Sequence, residues 1–147
     1  MRAIGYLLSE RTGQLHGRYD NGRNEFAGPA ALVVDDHIVL LYRAHADDIV
    51  SHIGLAISSD GYHFERESEP VLSPSEDYER FGCEDPRVTA VGGVYYLTYT
   101  GWDRENARLC LATSTDLHHW TKHGPLFKNL AFRCLVWVGW LYGDGGQ

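Results

Sequence analysis

Apolar, β-branched and aromatic residues fall in short runs along this chain, and pairs of turn-forming residues interrupt the runs. Pro29 to Val34 and His37 to Tyr42 flank Asp35-Asp36, and Pro86 to Val91 and Val94 to Tyr99 flank Gly92-Gly93 in the same way. Two-residue turns of Asp or Gly join antiparallel strands, because both central residues must take a positive φ. Further on, Ile53-Gly54-Leu55-Ala56-Ile57-Ser58-Ser59-Asp60-Gly61-Tyr62-His63-Phe64 matches Leu109-Cys110-Leu111-Ala112-Thr113-Ser114-Thr115-Asp116-Leu117-His118-His119-Trp120 position by position, at an offset of 56 residues. Pro29 precedes Pro86 by 57 residues, so the repeat covers all four runs. Each unit reads as two strands joined by a tight turn, a loop, and two more strands joined at Asp60-Gly61 or Asp116-Leu117. The predicted unit is a four-stranded antiparallel blade, and the predicted fold is an all-β propeller.

Blades bury their faces only against other blades set around a channel, and closed rings use about 4–8 of them. With this period the chain holds about two. It divides into an N-terminal segment (1–23), a first blade (24–80), a second blade (81–129) and a divergent tail or start of a third blade (130–147). A propeller fragment of this size is expected to be poorly stable alone and to need further blades or further copies of itself, which makes a homo-oligomer one expected state.

Composition narrows the partners. The 147 residues are 44% hydrophobic and 22% charged, as in one globular domain, and carry a formal net charge of -7. An acidic chain has no basic stripe to displace counterions from phosphates, which excludes nucleic acid and anionic membrane as partners. The opening residues return to charge too soon for a signal peptide. The apolar run Cys134 to Tyr142 is far below the ~20 residues of a spanning helix and reads as a strand. Cys83, Cys110 and Cys134 have no C-x-x-C spacing and are odd in number, which fits a reducing, cytoplasmic setting. His118, His119 and His123 lack the helical spacing of a metal pair, so no metal is expected.

A meander places alternate connections at opposite ends of a blade. One end collects Asp35, Asp36, Asp60, Gly92, Gly93 and Asp116, which are turn formers. The other end collects the segment from Arg43 to His52, the connection from Glu65 to Glu84, and Asp85, Arg87 and the segment from Thr100 to Ala107. The repeat gives Ala27, Gly28 and Ala30 where the second blade has Glu84, Asp85 and Arg87, so these polar residues are additions to one blade. Pro86 is expected to hold Asp85 extended, with its carboxylate turned into the channel mouth. A surface ion-pair cluster accounts for Glu84, Asp85 and Arg87 equally well on the residues alone. His52, Tyr78 and Trp102 lie at the same end, as packing residues or as sugar contacts, with the Trp102 indole suited to stacking on a sugar ring.

The segment Tyr78-Glu79-Arg80-Phe81-Gly82-Cys83-Glu84-Asp85-Pro86-Arg87, followed by Tyr95-Tyr96-Leu97-Thr98-Tyr99-Thr100, resembles the signature of glycoside hydrolase family 130, the β-mannoside phosphorylases and related mannosidases. Leu40-Leu41-Tyr42-Arg43-Ala44, Ser51-His52-Ile53-Gly54-Leu55-Ala56 and Leu111-Ala112-Thr113-Ser114 follow it in order and spacing, so the likeness runs from about residue 26 to 125. The resemblance implies a five-bladed propeller and inverting phosphorolysis of β-mannosides to mannose 1-phosphate. Inorganic phosphate is then the co-substrate, and no other cofactor is implied. It also implies that Asp85 is the general acid, protonating the glycosidic oxygen through a sugar hydroxyl, and that Arg43 and Arg87 bind mannose or organise the acid. The sugar-facing set is expected to comprise Arg43, His52, Tyr78, Glu84, Arg87, Trp102 and Asp103.

A hydrolase on the same fold requires a second carboxylate to activate water, and Glu79, Glu84 and Asp103 are the candidates at the mouth. A third expectation is a non-catalytic, sugar-binding propeller piece. The chain departs from the family at Phe26-Ala27-Gly28, where members often carry Asn, and again beyond about Phe127. Arg133 stands near a phosphate-binding position, but its neighbours do not match.

Overall fold

The computed structural model describes residues 29–45 and 50–127. Within them lie eight strands: β1 (Ala30–Val34), β2 (His37–His45), β3 (Ser51–Ser58), β4 (Glu65–Arg66), β5 (Gly82–Val91), β6 (Val94–Trp102), β7 (Ala107–Ser114) and β8 (Thr121–Pro125). One 3-10 turn, Asp77–Glu79, precedes β5. Strands β1 to β4 form one antiparallel meander and β5 to β8 a second. The two meet through a single parallel pairing of Ser51 with Gly82. These are the two four-stranded units that the repeat predicts. Phe26 to Gly28, Arg133, Cys134 and the apolar run after it lie outside the described residues.

The two tight turns form as their sequences require. Asp35 and Asp36 have φ of 46° and 63°, and Gly92 and Gly93 have 59° and 79°. Positive φ at both central residues matches the right-handed twist of the flanking strands, and Asp and Gly tolerate it better than other residues do. The β3–β4 and β7–β8 connections are longer loops, residues 59–64 and 115–120, built around Asp60 and Asp116.

Alternation along the strands builds a core between the units. Val39 and Leu41 of β2, with Ile53 and Leu55 of β3, pack with Leu97 and Tyr99 of β6 and with Cys110 and Ala112 of β7. Leu40, Tyr42 and Ala56, one residue out of phase, form a second cluster on the opposite face of the first unit. Full burial of a Leu or Ile side chain contributes about 1.5–3 kcal/mol, so the shared core is the main cohesion between the units. Two polar ties reinforce it: Lys122 on β8 donates to the Ser73 carbonyl at 2.6 Å, and His118 lies 3.2 Å from the Glu67 carboxylate.

The expected extended conformation at Asp85 is not found. Asp85 has φ of 49°, in the left-handed region. Glu84 pairs with Thr100 and Arg87 with Thr98, so Asp85 and Pro86 together stand opposite Tyr99 alone. This is a β-bulge whose first residue is left-handed. Proline before a strand disfavours the right-handed helical region for its predecessor, but the bulge's geometry then selects the left-handed well over the extended one. Pro86 loses nothing by lacking an N–H at a position where the ladder is already broken.

Candidate active site

The connections 67–81 and 103–106 share one end of the two units with the end of β2 and the start of β3, and the bulge of β5 lies near it. Bulges re-aim side chains, and here Asp85 is exposed between the half-buried Glu84 and the buried Pro86. A non-glycine residue in the left-handed well costs about 1–2 kcal/mol, which the surrounding ladder must offset. Arg87 folds back across the bulge, its Nη1 donating to the Pro86 carbonyl at 2.7 Å.

Glu84 turns the other way, toward the first unit. Its Oε1 accepts from Arg43 Nη2 at 2.7 Å and from the Ser51 hydroxyl at 2.9 Å, while Arg43 Nε donates to Ser51 Oγ at 2.9 Å. Arg43 comes from β2 and Ser51 from the first residue of β3, at the one point where the two units pair. Burial raises the Glu84 pKa above the ordinary carboxylate value, against the opposing pull of Arg43 and Ser51. Arg43, expected to face sugar, is therefore buried and clasps the residue immediately before Asp85.

Glu79 was a candidate base at the mouth, and the structure removes it from that role. Its carboxylate is 0% exposed and is held by the Lys122 ammonium, the Tyr99 hydroxyl at 2.7 Å and the Ser75 amide at 3.0 Å. A 3-10 turn carries it inward, under β6 and β8, where sequence spacing alone gave no hint of burial. Burial first, and then the bond to Glu79, push the Tyr99 hydroxyl above the usual tyrosine range, so it stays protonated and donates.

Asp103 accepts from the Glu105 amide at 2.9 Å and the Asn106 amide at 2.7 Å, and it pairs with Arg108. Against desolvation, these bonds hold it down to about 2, so it is ionised and locks the β6–β7 turn. Tyr78 is half-buried against the shared core, and burial pushes its hydroxyl up to about 12. His52 is half-buried, with Nδ1 3.0 Å from the Ser73 hydroxyl. Trp102 is half-buried at the end of β6, and its carbonyl accepts from the Phe81 amide at 2.9 Å. The Arg104 guanidinium lies 4.0 Å from the Phe81 ring centroid and Arg80 5.3 Å from it, so two cations flank one ring at this end.

Sequence reasoning missed Ser51, Tyr99 and Lys122. Ser51 had a signal: with Arg43 it occupies a repeat position where the second blade has Ala107 and Thr100. Tyr99 and Lys122 had none, because each sits in an ordinary strand pattern. Among the described residues no cluster of His, Cys, Asp and Glu is arranged to hold a metal, and no helix is long and apolar enough to cross a membrane.

Known proteins give this arrangement its context. The sequence model of a family designated Glyco_hydro_130 and described as beta-1,4-mannooligosaccharide phosphorylase matches residues 13–138. A 1,2-beta-oligomannan phosphorylase of Thermoanaerobacter sp. (strain X514) is 42% identical over 95 residues, covering 58% of this chain and 32% of its own. A beta-1,2-mannobiose phosphorylase of the same strain is 44% identical over 77 residues, covering 50% of this chain and 26% of its own. Among solved structures, a putative glycoside hydrolase from Parabacteroides distasonis superposes with a TM-score of 0.67 at 41% identity, over 71% of this chain and 34% of that one. A structure described under glycoside hydrolases of family GH130 that target beta-1,2 mannosidic linkages in Candida mannan gives 0.67 at 44% identity, over 72% and 33%. The chain thus spans about a quarter to a third of the length of these relatives, and its all-β meanders share their propeller-type fold. On the extent of the family match and the order of its motifs, this chain belongs to glycoside hydrolase family 130.

Proposed function

We propose that the full-length protein carrying this chain is an inverting β-mannoside phosphorylase with Asp85 as its general acid. The observation that supports the reading is the bulge at Asp85, which leaves that carboxylate exposed while the three candidate bases are held by cations. Glu79 is held by Lys122, Glu84 by Arg43 and Asp103 by Arg108. A hydrolase must use a second carboxylate to deprotonate water, whereas phosphate brings its own nucleophilic oxygen. Occupation of all three candidate bases therefore supports phosphorolysis.

In the proposed reaction a phosphate oxygen attacks the anomeric carbon from the face opposite the glycosidic bond. That bond breaks toward the leaving oxygen, which takes a proton from a sugar hydroxyl as the hydroxyl takes one from Asp85. The products are mannose 1-phosphate of inverted configuration and the shortened sugar, and Asp85 regains its proton from solvent. General acid catalysis of this kind contributes roughly 10²–10⁴-fold. Substrate is sought first among β-1,2-linked mannosides, because both Thermoanaerobacter relatives carry that linkage in their names.

The second reading, a β-mannoside hydrolase, is favoured by the 44% identity to a structure described among such hydrolases. Incubating the full-length protein with β-1,2-mannobiose, and in parallel with the β-1,4 isomer, with and without phosphate separates the two. Mannose 1-phosphate formed only when phosphate is present is the expected result. Release of free mannose at the same rate in both buffers would replace phosphorolysis with hydrolysis.

A further inference from the structure

We infer that Glu79, buried behind the bulge, is a positioning residue for Asp85, an inference that rests on the proposed role of Asp85 as acid. Two partners of its carboxylate, Tyr99 and Cys83, lie on the two strands that form the bulge. Oε2 accepts from the hydroxyl of Tyr99, the β6 residue that stands opposite both Asp85 and Pro86, at 2.7 Å. The Cys83 thiol, two residues before Asp85, lies 3.6 Å from the same oxygen, and burial raises that thiol's pKa well above the ordinary value, so it remains a donor. Oε1 accepts from the Ser75 amide at 3.0 Å and from Lys122 of β8. Lys122 in turn donates to the Ser73 carbonyl and, at 3.0 Å, to the Ser75 hydroxyl. One carboxylate thereby ties the 73–79 connection, the start of β5, the middle of β6 and β8 to a common point.

The tie acts where the ladder cannot. A bulge interrupts the hydrogen bonds that would otherwise set the strand's position, and the β5–β6 ladder has its break at Asp85 and Pro86. Tyr99, the single residue facing that break, is 0% exposed and is anchored at its tip by Glu79. The tyrosine ring and the buried carboxylate replace the missing ladder bonds as the reference that fixes how far Asp85 projects. A catalytic group displaced by about 1 Å can lose on the order of 10²-fold in rate, so a support of this kind acts on the chemical step.

The test compares two substrates in the full-length protein: a β-mannobiose, whose leaving oxygen needs a proton, and a 4-nitrophenyl β-mannoside, whose leaving group does not. Glu79→Gln is expected to lower kcat on mannobiose by at least about tenfold, within the range a 1 Å misplacement produces, with KM and nitrophenyl mannoside turnover changed by less than about twofold. Tyr99→Phe, which removes the hydroxyl but keeps the ring and the Glu79–Lys122 pair, is expected to show the same selective loss at smaller size. It serves as the readout if Glu79→Gln does not fold. Equal losses on both substrates would mean that Glu79 merely stabilises the fold, and unchanged mannobiose turnover would mean that it does nothing for Asp85; either result overturns the inference. A wild-type protein that cleaves neither substrate would instead overturn the functional reading itself, and the inference with it.

Discussion

The two ends of the blades obey different rules. At the hairpin end the Ser-x-Asp loops of the two repeats carry the same set of hydrogen bonds. Asp60 Oδ1 accepts from the amides of Tyr62 and His63 at 2.8 Å, and Asp116 Oδ1 accepts from those of His118 and His119 at 2.9 and 2.8 Å. Ser58 and Ser114 bridge to these aspartates at 3.0 Å in both blades, and His63 and His119 close the far side at 2.7 and 2.8 Å. At the mouth end the repeat breaks. Arg43 and Ser51 of the first blade have Thr100 and Ala107 as counterparts, and Glu84 and Asp85 of the second have Ala27 and Gly28. Residues that every blade needs in order to fold recur, whereas those that a single site needs occur once. Polar residues that break the period and then meet in space, as Arg43, Ser51 and Glu84 do, belong to the end at which we propose the chemistry.

Making the mouth of the second blade like that of the first should have the largest effect. Glu84→Ala with Asp85→Gly, which installs the first blade's residues, is expected to abolish turnover by at least the roughly 10²–10⁴-fold of a lost general acid. Detectable phosphorolysis at more than a tenth of the normal rate would show that the broken repeat is not where the chemistry lies. The clasp comes next. Arg43→Met leaves the Glu84 carboxylate buried without its cation and should cost about 3–5 kcal/mol in chemical denaturation, and adding Glu84→Gln should restore part of it. Additive losses in the double variant would separate the two residues energetically.

The hairpin end should respond weakly and symmetrically. Asp60→Ala and Asp116→Ala should each lower the thermal midpoint, by similar amounts, without altering kcat. A midpoint that moves for only one of them would break the equivalence of the two loops. The smallest effect is on pH. Hydrogen bonds from His63 and from His119 hold Asp60 and Asp116 below the ordinary aspartate range, and Arg108 and turn amides hold Asp103 at about 2 against desolvation. A depressed folded-state pKa means that the unfolded chain binds more protons in the window between the two values. The stability these groups contribute is therefore complete above the ordinary value of 3.8 and is lost as pH falls through the folded one. For Asp103 that window runs from 3.8 to about 2, and Asp103→Asn should flatten the fall in near-UV circular dichroism across it.

The fold was legible because it repeats. Asp35-Asp36, Gly92-Gly93 and the Ser-x-Asp loops declare themselves twice, and local chemistry suffices to explain each. The exposed Asp85 was legible as a departure from the repeat, but its backbone was not, because a bulge is a property of two strands in register and the Asp-Pro pair alone favours an extended residue. Leu117 shows the same limit. It takes φ of 67° where the first blade has Gly61 at 77°, and it does so while buried in the shared core, a trade between backbone strain and packing that composition does not reveal. Glu79 was illegible for a third reason: a carboxylate is inward or outward according to whether a cation from elsewhere in the chain, here Lys122, 43 residues away, arrives to meet it.

The most direct measurement is the rate at which an Asp85→Asn form of the full-length protein releases mannose 1-phosphate from β-mannobiose in phosphate buffer. Asparagine tolerates the left-handed backbone at this position and nearly matches aspartate in shape, so the bulge is retained while the transferable proton is lost. The expected result is a loss on the order of 10²-fold or more in kcat with an unchanged thermal midpoint. A rate within a few-fold of the wild type would contradict the assignment of Asp85 as the acid.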